Sequence, residues 1–427
     1  MKDSGVEWLP QVPDGWRVIP FKHLFKEMDR PVQESDEIIT CFRDGEVTLR
    51  KNRREDGFTM ADQEIGYQHI SVGDLVVHGM DGFAGSIGIS DSDGKATPVL
   101  IVMNPLHDEC SRYFMYLLRV YAQLEVFLAT SSGIRVRSCA LNWKKLGSLP
   151  AVVPSVDEQK RIVAFLDERC AAIDEVRRTI ELEVEALRRL RKATIHRAVT
   201  KGIDEGVPLR DSGIGCIGEI PANWTVRRLK TYAQMITDGV HQTPDYQAEG
   251  IPFLSIKDIS SGYIDFSDTR YITEEAHREL SRNTPVEKGD ILFTRIGTFG
   301  VAVMVDTDRP FDIFVSLGLL KVKPGSISKK YLLYVMNSQY YYDYIDLTKS
   351  GWGTAAPKFN LGSASLSPIT TPPLAEQQRI ADYLDERCAA IDSVIDTRTR
   401  QLERLDDYRR ALIFAYVTGK KEVPSHE

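Results

Sequence analysis

The densest grouping of side chains able to hold a phosphate or a base edge is the run Arg50-Lys51-Asn52-Arg53-Arg54, with Arg43 shortly before it. Guanidinium groups fork onto phosphate oxygens or guanine edges, and an amide offers the paired donor and acceptor that adenine requires. Cations around an Asn therefore suit contact with DNA. Glu46, Glu55 and Asp56 lie among them, so a solvated, self-neutralised face is the competing reading. A second run, Ser131-Ser132-Gly133-Ile134-Arg135-Val136-Arg137, combines small residues with Arg135 and Arg137, which share one side of an extended chain. Later in the chain, the counterparts are Asp238-Gly239-Val240-His241-Gln242-Thr243 and Lys349-Ser350-Gly351-Trp352-Gly353-Thr354. Their Gly-framed His241, Gln242, Thr243, Lys349 and Trp352 suit a groove, and suit an ordinary turn equally. Arg295 and Thr298, beside the end of an expected strand, complete the set with His78, one position earlier in the repeat alignment described below.

Signatures of catalysis are scarce. The sequence contains no G-x-x-x-x-G-K-[ST] phosphate loop, which argues against an ATP-driven motor. A methyltransferase motif of the Asn/Asp-Pro-Pro-aromatic type is also missing: Asn104-Pro105 continues into Leu106, and Pro372-Pro373 follows Thr371. Phe83-Ala84-Gly85-Ser86-Ile87-Gly88 resembles a Gly-rich cofactor loop, but a turn between strands accounts for its glycines. Asp245 and Glu249 suggest a nuclease cluster only if the usual Lys is overlooked. The eight histidines are scattered, and the six cysteines form no C-x-x-C pair, so neither a metal nor a disulfide framework is expected. No catalytic residue, metal or cofactor is assigned.

What positions the candidate loops is a duplication. LDERCAAID occurs at 166 to 174 and again at 384 to 392. Pro154, Glu158, Gln159, Arg161 and Ile162 return as Pro372, Glu376, Gln377, Arg379 and Ile380, and Val199-Thr200 returns as Val417-Thr418. Fainter echoes link Asp3-Ser4-Gly5, Pro13 and Trp16 with Asp211-Ser212-Gly213, Pro221 and Trp224. The segments 157 to 200 and 375 to 418 lack Gly and Pro, are rich in Ala, Leu, Glu and Arg, and start just after a Pro, which predicts helices of roughly 65 Å. Leu166, Cys170, Ile173, Ile180, Val184 and Leu187 recur about every 3.5 residues, as do Leu384, Cys388, Ile391, Ile395, Leu402, Leu405 and Leu412. Each helix thus carries a seam, interrupted by Arg177 in one and Arg398 in the other. An antiparallel coiled-coil pair within the chain is expected; two helices each covering its own domain is the alternative. Between them, β-branched runs such as Leu75 to His78 and Leu317 to Val322, with Tyr- and Leu-rich helices expected at 111 to 129 and 328 to 347, predict mixed α/β domains. The expected fold is α+β with an internal pseudo-twofold repeat. Its parts are 1–153, a helix at 154–202, 203–371, and a helix with tail at 372–427.

The net charge of −7 argues against a generally basic nucleic-acid binder, and no segment is strongly basic. Contact with DNA would fall to small clusters or be shared with partners. The N-terminus carries no apolar signal-like run and no stretch approaches the length of a bilayer span, so a cytoplasmic protein without membrane contact is expected.

This sequence resembles the specificity subunits of type I restriction-modification systems. The matching features are the lead-in segments ending at Trp16 and Trp224, the GDILFTRIGTFG loop at 289 to 300, and the Pro-x-x-x-Glu-Gln-x-x-Ile helix starts at 154 to 162 and 372 to 380. The resemblance implies two target recognition domains, 1–153 and 203–371, each reading half of a bipartite, asymmetric site in double-stranded DNA. It implies docking of two methyltransferase subunits on the repeated helices, with Glu158, Gln159, Arg161, Glu168 and Arg169, and Glu376, Gln377, Arg379, Glu386 and Arg387, as candidate contacts, and restriction subunits joining the complex. Methylation and cleavage would belong to those partners. In the first domain the loop equivalent to GTFG reads GMDGFAGS at 79 to 86, so its contacts are less securely equivalent. A chain with its own methyltransferase or nuclease activity, and a coiled-coil scaffold without a DNA role, are the competing functions.

Overall fold

Each half of the sequence alternates short β-branched runs with one apolar helix, and each half folds to the same strand order. The computed structural model describes residues 1–53, 64–130, 140–297, 299–351 and 357–424. It divides into two units, Met1–Ile180 with Arg400–Glu427, and Glu181–Thr399.

In the first unit a four-stranded antiparallel sheet has the order Phe25–Glu27, Leu100–Pro105, Leu75–His78, Ile87–Ile89. Alternation along the strands sends side chains to opposite faces. Leu75, Val77, Ile101 and Met103 join the main core, whereas Val76, Leu100 and Val102 enter a smaller cluster with Ile39, Val47 and Ile70. The main core is closed by the helix Ser111–Gln123, in which every residue from Tyr113 to Leu118 is buried. The second unit repeats this with strands Ala233–Asp238, Leu317–Val322, Ile291–Thr294, Ala302–Met304 and the helix Lys329–Met336. There Ile291, Phe293, Leu320 and Val322 face the main core while Leu292, Leu317 and Leu319 face a smaller one.

The expected single helices at 111 to 129 and 328 to 347 are each broken in two. The first ends at Gln123, with Glu125 in the left-handed region at φ 57°, before Val126–Thr130. The second ends at Met336, and Asn337 caps it before Gln339–Thr348 begins.

A two-stranded ribbon closes each variable segment, Arg17–Pro20 with Pro150–Val153 in one unit and Thr225–Arg228 with Pro368–Thr371 in the other. A long helix follows each ribbon, Val156–Lys201 and Leu374–Val417. Both stop beside a glycine in the left-handed region, Gly202 at φ 76° and Gly419 at φ 69°, the usual way to turn a chain off a helix end.

Within the first unit the two helix segments run antiparallel. Phe165 meets Tyr416 with ring centroids 4.6 Å apart, Asp174 pairs with Arg409 at 3.1 Å, and Arg177 with Asp406 at 3.2 Å. Within the second unit Glu183 pairs with Arg398 at 2.9 Å and Arg191 with Asp392 at 2.8 Å, again antiparallel. Arg177 and Arg398, which interrupt the apolar stripe, thus each reach a carboxylate on the facing helix, as Arg409 and Arg191 do. Among the described residues no helix is long and apolar enough to cross a membrane.

Candidate nucleic-acid interface and helix anchors

In the first unit the expected cationic cluster is built around the hairpin Ile39–Cys41 with Val47–Leu49. Its cations are paired. Arg43 reaches Asp81 at 3.0 Å and Lys51 reaches Glu37 at 2.5 Å. Arg53 lies over the Phe42 ring, 4.3 Å from its centroid, and pairs with Asp44 at 2.7 Å and Glu46 at 3.0 Å. Arg50 donates to the Thr40 hydroxyl at 3.3 Å, and Asn52 to that of Thr48 at 2.8 Å. Exposed ion pairs of this kind contribute little to stability, so their cations can exchange a carboxylate for a phosphate at small cost. Arg54, Arg135 and Arg137 lie outside the described residues.

His78 ends its strand at the turn next to this cluster. Its Nδ1 accepts the backbone N–H of Met80 at 3.2 Å and of Asp81 at 3.1 Å. Burial pushes the imidazole below its ordinary pKa, Asp81 opposes that, and Arg43 adds to it. The Gly-rich run beyond is the connection between strands Leu75–His78 and Ile87–Ile89, with a short helical turn at Gly82–Ala84.

In the second unit two of the expected loops, 238–243 and the one carrying Arg295, meet at Arg295 together with the segment 357–360. Its guanidinium is ion-paired with Asp238, donates to the Val315 carbonyl at 3.2 Å and to the Phe359 carbonyl at 3.3 Å, and is only 7% exposed. Its backbone bonds Ser316 and Phe359, and Ile296 bridges to Lys358. Segments 238–243, 295–297 and 357–360 are thereby tied together. Arg295 was expected at the groove; the structure buries it and turns Nε and Nη1 to Phe359, Asp238 and Val315, so that it braces these loops. His241 is exposed, its Nε2 3.1 Å from Asp238, and Gln242 and Thr243 beside it are exposed too. Lys349 is half-buried, paired with Asp346, and 6.0 Å from the centroid of Phe299. Thr298 and Trp352 lie outside the described residues. Among the described residues no cluster of His, Cys, Asp and Glu is arranged to hold a metal.

The residues identical between the repeats have a duty inside each unit. The indole N–H of Trp16 donates to Glu158 at 3.1 Å, and that of Trp224 to Glu376 at 3.0 Å. Gln159 accepts the N–H of Cys110 at 2.8 Å and donates to the Pro154 carbonyl at 3.2 Å; Gln377 does the same with Ser328 at 2.8 Å and Pro372 at 2.9 Å. Asp167 accepts from the Tyr116 hydroxyl at 2.6 Å and pairs with Arg112 at 2.7 Å, while Asp385 accepts from Tyr334 at 2.7 Å and pairs with Lys330 at 2.8 Å. Gln159 and Gln377 were expected to dock a partner, but at 0% and 1% exposure they have no surface to offer. Glu158 and Glu376 hold the tryptophans, and Arg379 pairs with Asp204 at 2.6 Å. Of the expected docking set, Arg161, Glu168, Arg169, Arg379, Glu386 and Arg387 are exposed.

Two variable segments, each anchored to its own copy of a repeated helix by the same contacts, describe a protein made by internal repetition. Over residues 221–404 the sequence matches the family model for the type I restriction modification DNA specificity domain. The type I restriction enzyme MjaVIII specificity subunit of Methanocaldococcus jannaschii is 25% identical over 276 residues, covering 64% of this chain and 62% of that protein. A putative type I restriction enzyme MjaX specificity subunit from the same organism is 24% identical over 443 residues, covering 97% and 96% respectively. A chain from a structure on complex assembly and conformational transition of the type I R-M system superposes with a TM-score of 0.68 at 16% identity, covering 96% of this chain and all of that one, so the fold is shared. The chain is thus similar in sequence to type I restriction-modification specificity subunits, at 24–25% identity to these two relatives.

Sequence reasoning missed Asp238, which joins Arg295 to His241, and Arg119, Arg409 and Arg410, which line a cleft with Arg43. Only the repeat alignment carried a signal for Arg119, since Asn337 stands at its place in the second half.

Proposed function

We propose that this chain is the non-catalytic DNA-reading subunit of a type I restriction-modification complex. Its variable segments 1–153 and 203–371 each read one half of a bipartite, asymmetric site in double-stranded DNA. The helical segments 154–202 and 372–427 form an antiparallel coiled coil related by a pseudo-twofold axis, and its length sets the spacer between half-sites. Two methyltransferase subunits dock on the repeated helices through Arg161, Glu168 and Arg169, and Glu386 and Arg387. Restriction subunits join that assembly, which acts in the cytoplasm. Arg43, Arg50, Lys51, Asn52 and Arg53 with Arg54, and His241, Gln242 and Thr243, face the DNA.

The observation that carries this reading is the anchoring itself. The same Trp–Glu, Gln–backbone and Tyr–Asp contacts fix each variable unit to its helix, while the candidate loops differ in sequence between halves. Identical mounts under different readers suit two unlike half-sites and two copies of one partner. The test is methylome sequencing of DNA modified by this chain co-expressed with its cognate methyltransferase subunit. A modified adenine in a split, non-palindromic motif is expected. Unmodified DNA from a verified complex with an active partner would move the reading to a scaffold without a DNA role.

A further inference from the structure

In the first unit a cleft of about 320 Å³ opens between the recognition loops and the last turns of the second long helix. Arg43, Arg119, Arg409 and Arg410 line it, against Asp44 and Asp406. Most of these charges have partners: Asp44 pairs with Arg53, Asp406 with Arg177, Arg43 with Asp81, Arg409 with Asp174 and Arg410 with Asp407. Arg119 is the exception. Among the described residues its guanidinium has no carboxylate partner. It donates only to carbonyls, from Nε to Ile87 at 2.9 Å and from Nη2 to Asp44 at 3.3 Å.

The surroundings hold Arg119 in place. Gly45 sits at φ 87°, and a Cβ there would fall 1.6 Å from Nη2 of Arg119, so only glycine leaves room for the guanidinium. Burial pulls the group below its ordinary pKa, and Arg409 adds to the effect. A half-buried cation with neutral acceptors alone, beside three further arginines, is a charge awaiting an anion. Among the described residues the second unit lacks this arrangement. Asn337 stands at the position of Arg119, with its amide bound to both N–H and C=O of Ala302.

We infer that this cleft is an anion site, present in the first unit only, that takes a backbone phosphate of the DNA beside the half-site read by that unit, with Arg119 as its fixed donor. The inference rests on the DNA-reading function proposed above. Its role is positional: one phosphate held by a rigid guanidinium fixes the register in which the neighbouring loops meet base edges.

The experiment uses the complete complex of this chain with its methyltransferase subunit and a duplex carrying the modified motif, with affinity measured over a range of salt concentrations. Arg119→Asn, which installs the residue of the second unit, and Arg410→Ala, a surface change, are compared with wild type. Both are expected to weaken binding, to lower the slope of log affinity against log salt by about 0.9 for the lost phosphate, and to leave the modified motif unchanged. A neutral methylphosphonate placed at successive positions is expected to weaken wild type at one phosphate flanking the first half-site and to leave Arg119→Asn indifferent there. Unchanged slopes in both variants, or loss of subunit assembly in place of DNA affinity, would overturn the inference, the latter by assigning the cleft to a protein carboxylate. A wild-type complex that binds no DNA would instead defeat the DNA-reading function.

Discussion

At the scale of the residue, two arginines that were both candidates for DNA contact do opposite work. Arg53 is paired on the surface, so Arg53→Ala is expected to change stability by less than about 0.5 kcal/mol while impairing modification through one half-site only. Arg295 is enclosed with Asp238, and removing one member of a buried pair leaves the other uncompensated. Arg295→Ala is therefore expected to cost about 3 kcal/mol in chemical denaturation; a cost equal to that of Arg53→Ala would contradict its role as brace. His78 adds a pH dependence. Its folded-state pKa lies below the ordinary 6.5, foremost through burial, so the folded state favours the neutral ring whose Nδ1 accepts from Met80 and Asp81. That contribution is complete above pH 6.5 and is lost as pH falls through the depressed value. Amide exchange at Met80 and Asp81, corrected for intrinsic rates, should lose protection with a midpoint below 6.5. Protection that stays constant while the ring itself takes up its proton would show that the ring does not cap the turn.

At the scale of the element, the anchors predict effects confined to one unit. Gln159→Ala leaves the Cys110 N–H without its partner, at a cost of roughly 1 to 3 kcal/mol. Hydrogen exchange should show the loss around Ser111–Gln123 and Val156 onward, with the strands of the second unit unaffected, and Gln377→Ala should show the reverse. Loss spread equally over both units would mean that the anchors do not act locally. These elements were legible in unequal degree. Duplication, absence of Gly and Pro and the 3.5-residue stripe announce both long helices, because helix formation depends on local composition and period. The duty of Gln159 was not legible, since an identical residue in two repeats is as well explained by a shared partner as by a shared internal contact. Nor was the burial of Arg295, whose carboxylate lies 57 positions away, or the setting of Arg119, which depends on the space left by Gly45. Long-range pairing and backbone conformation decide such cases, and neither has a local signature.

At the scale of the whole molecule, the net charge of −7 and the pairing of most cationic candidates imply weak, salt-sensitive DNA binding by the free chain, with affinity supplied by the assembled complex. On the function proposed above, what the chain supplies is the distance between two readings. If the paired helices set that distance, lengthening both should change the spacer and nothing else. Seven residues inserted after Ile180 and seven after Thr399, where the helices pass from one unit to the other, keep a stripe of period 3.5 in phase. They add about 10 Å at ~1.5 Å per residue, or roughly three base pairs at ~3.4 Å each. Methylome sequencing of the lengthened variant, co-expressed with the methyltransferase subunit, is expected to return both original half-sites with a spacer about three base pairs longer. The same half-sites at the original spacing would show that the helices do not measure the site. A change in the half-sites themselves would show that the units do not read independently of their mounts.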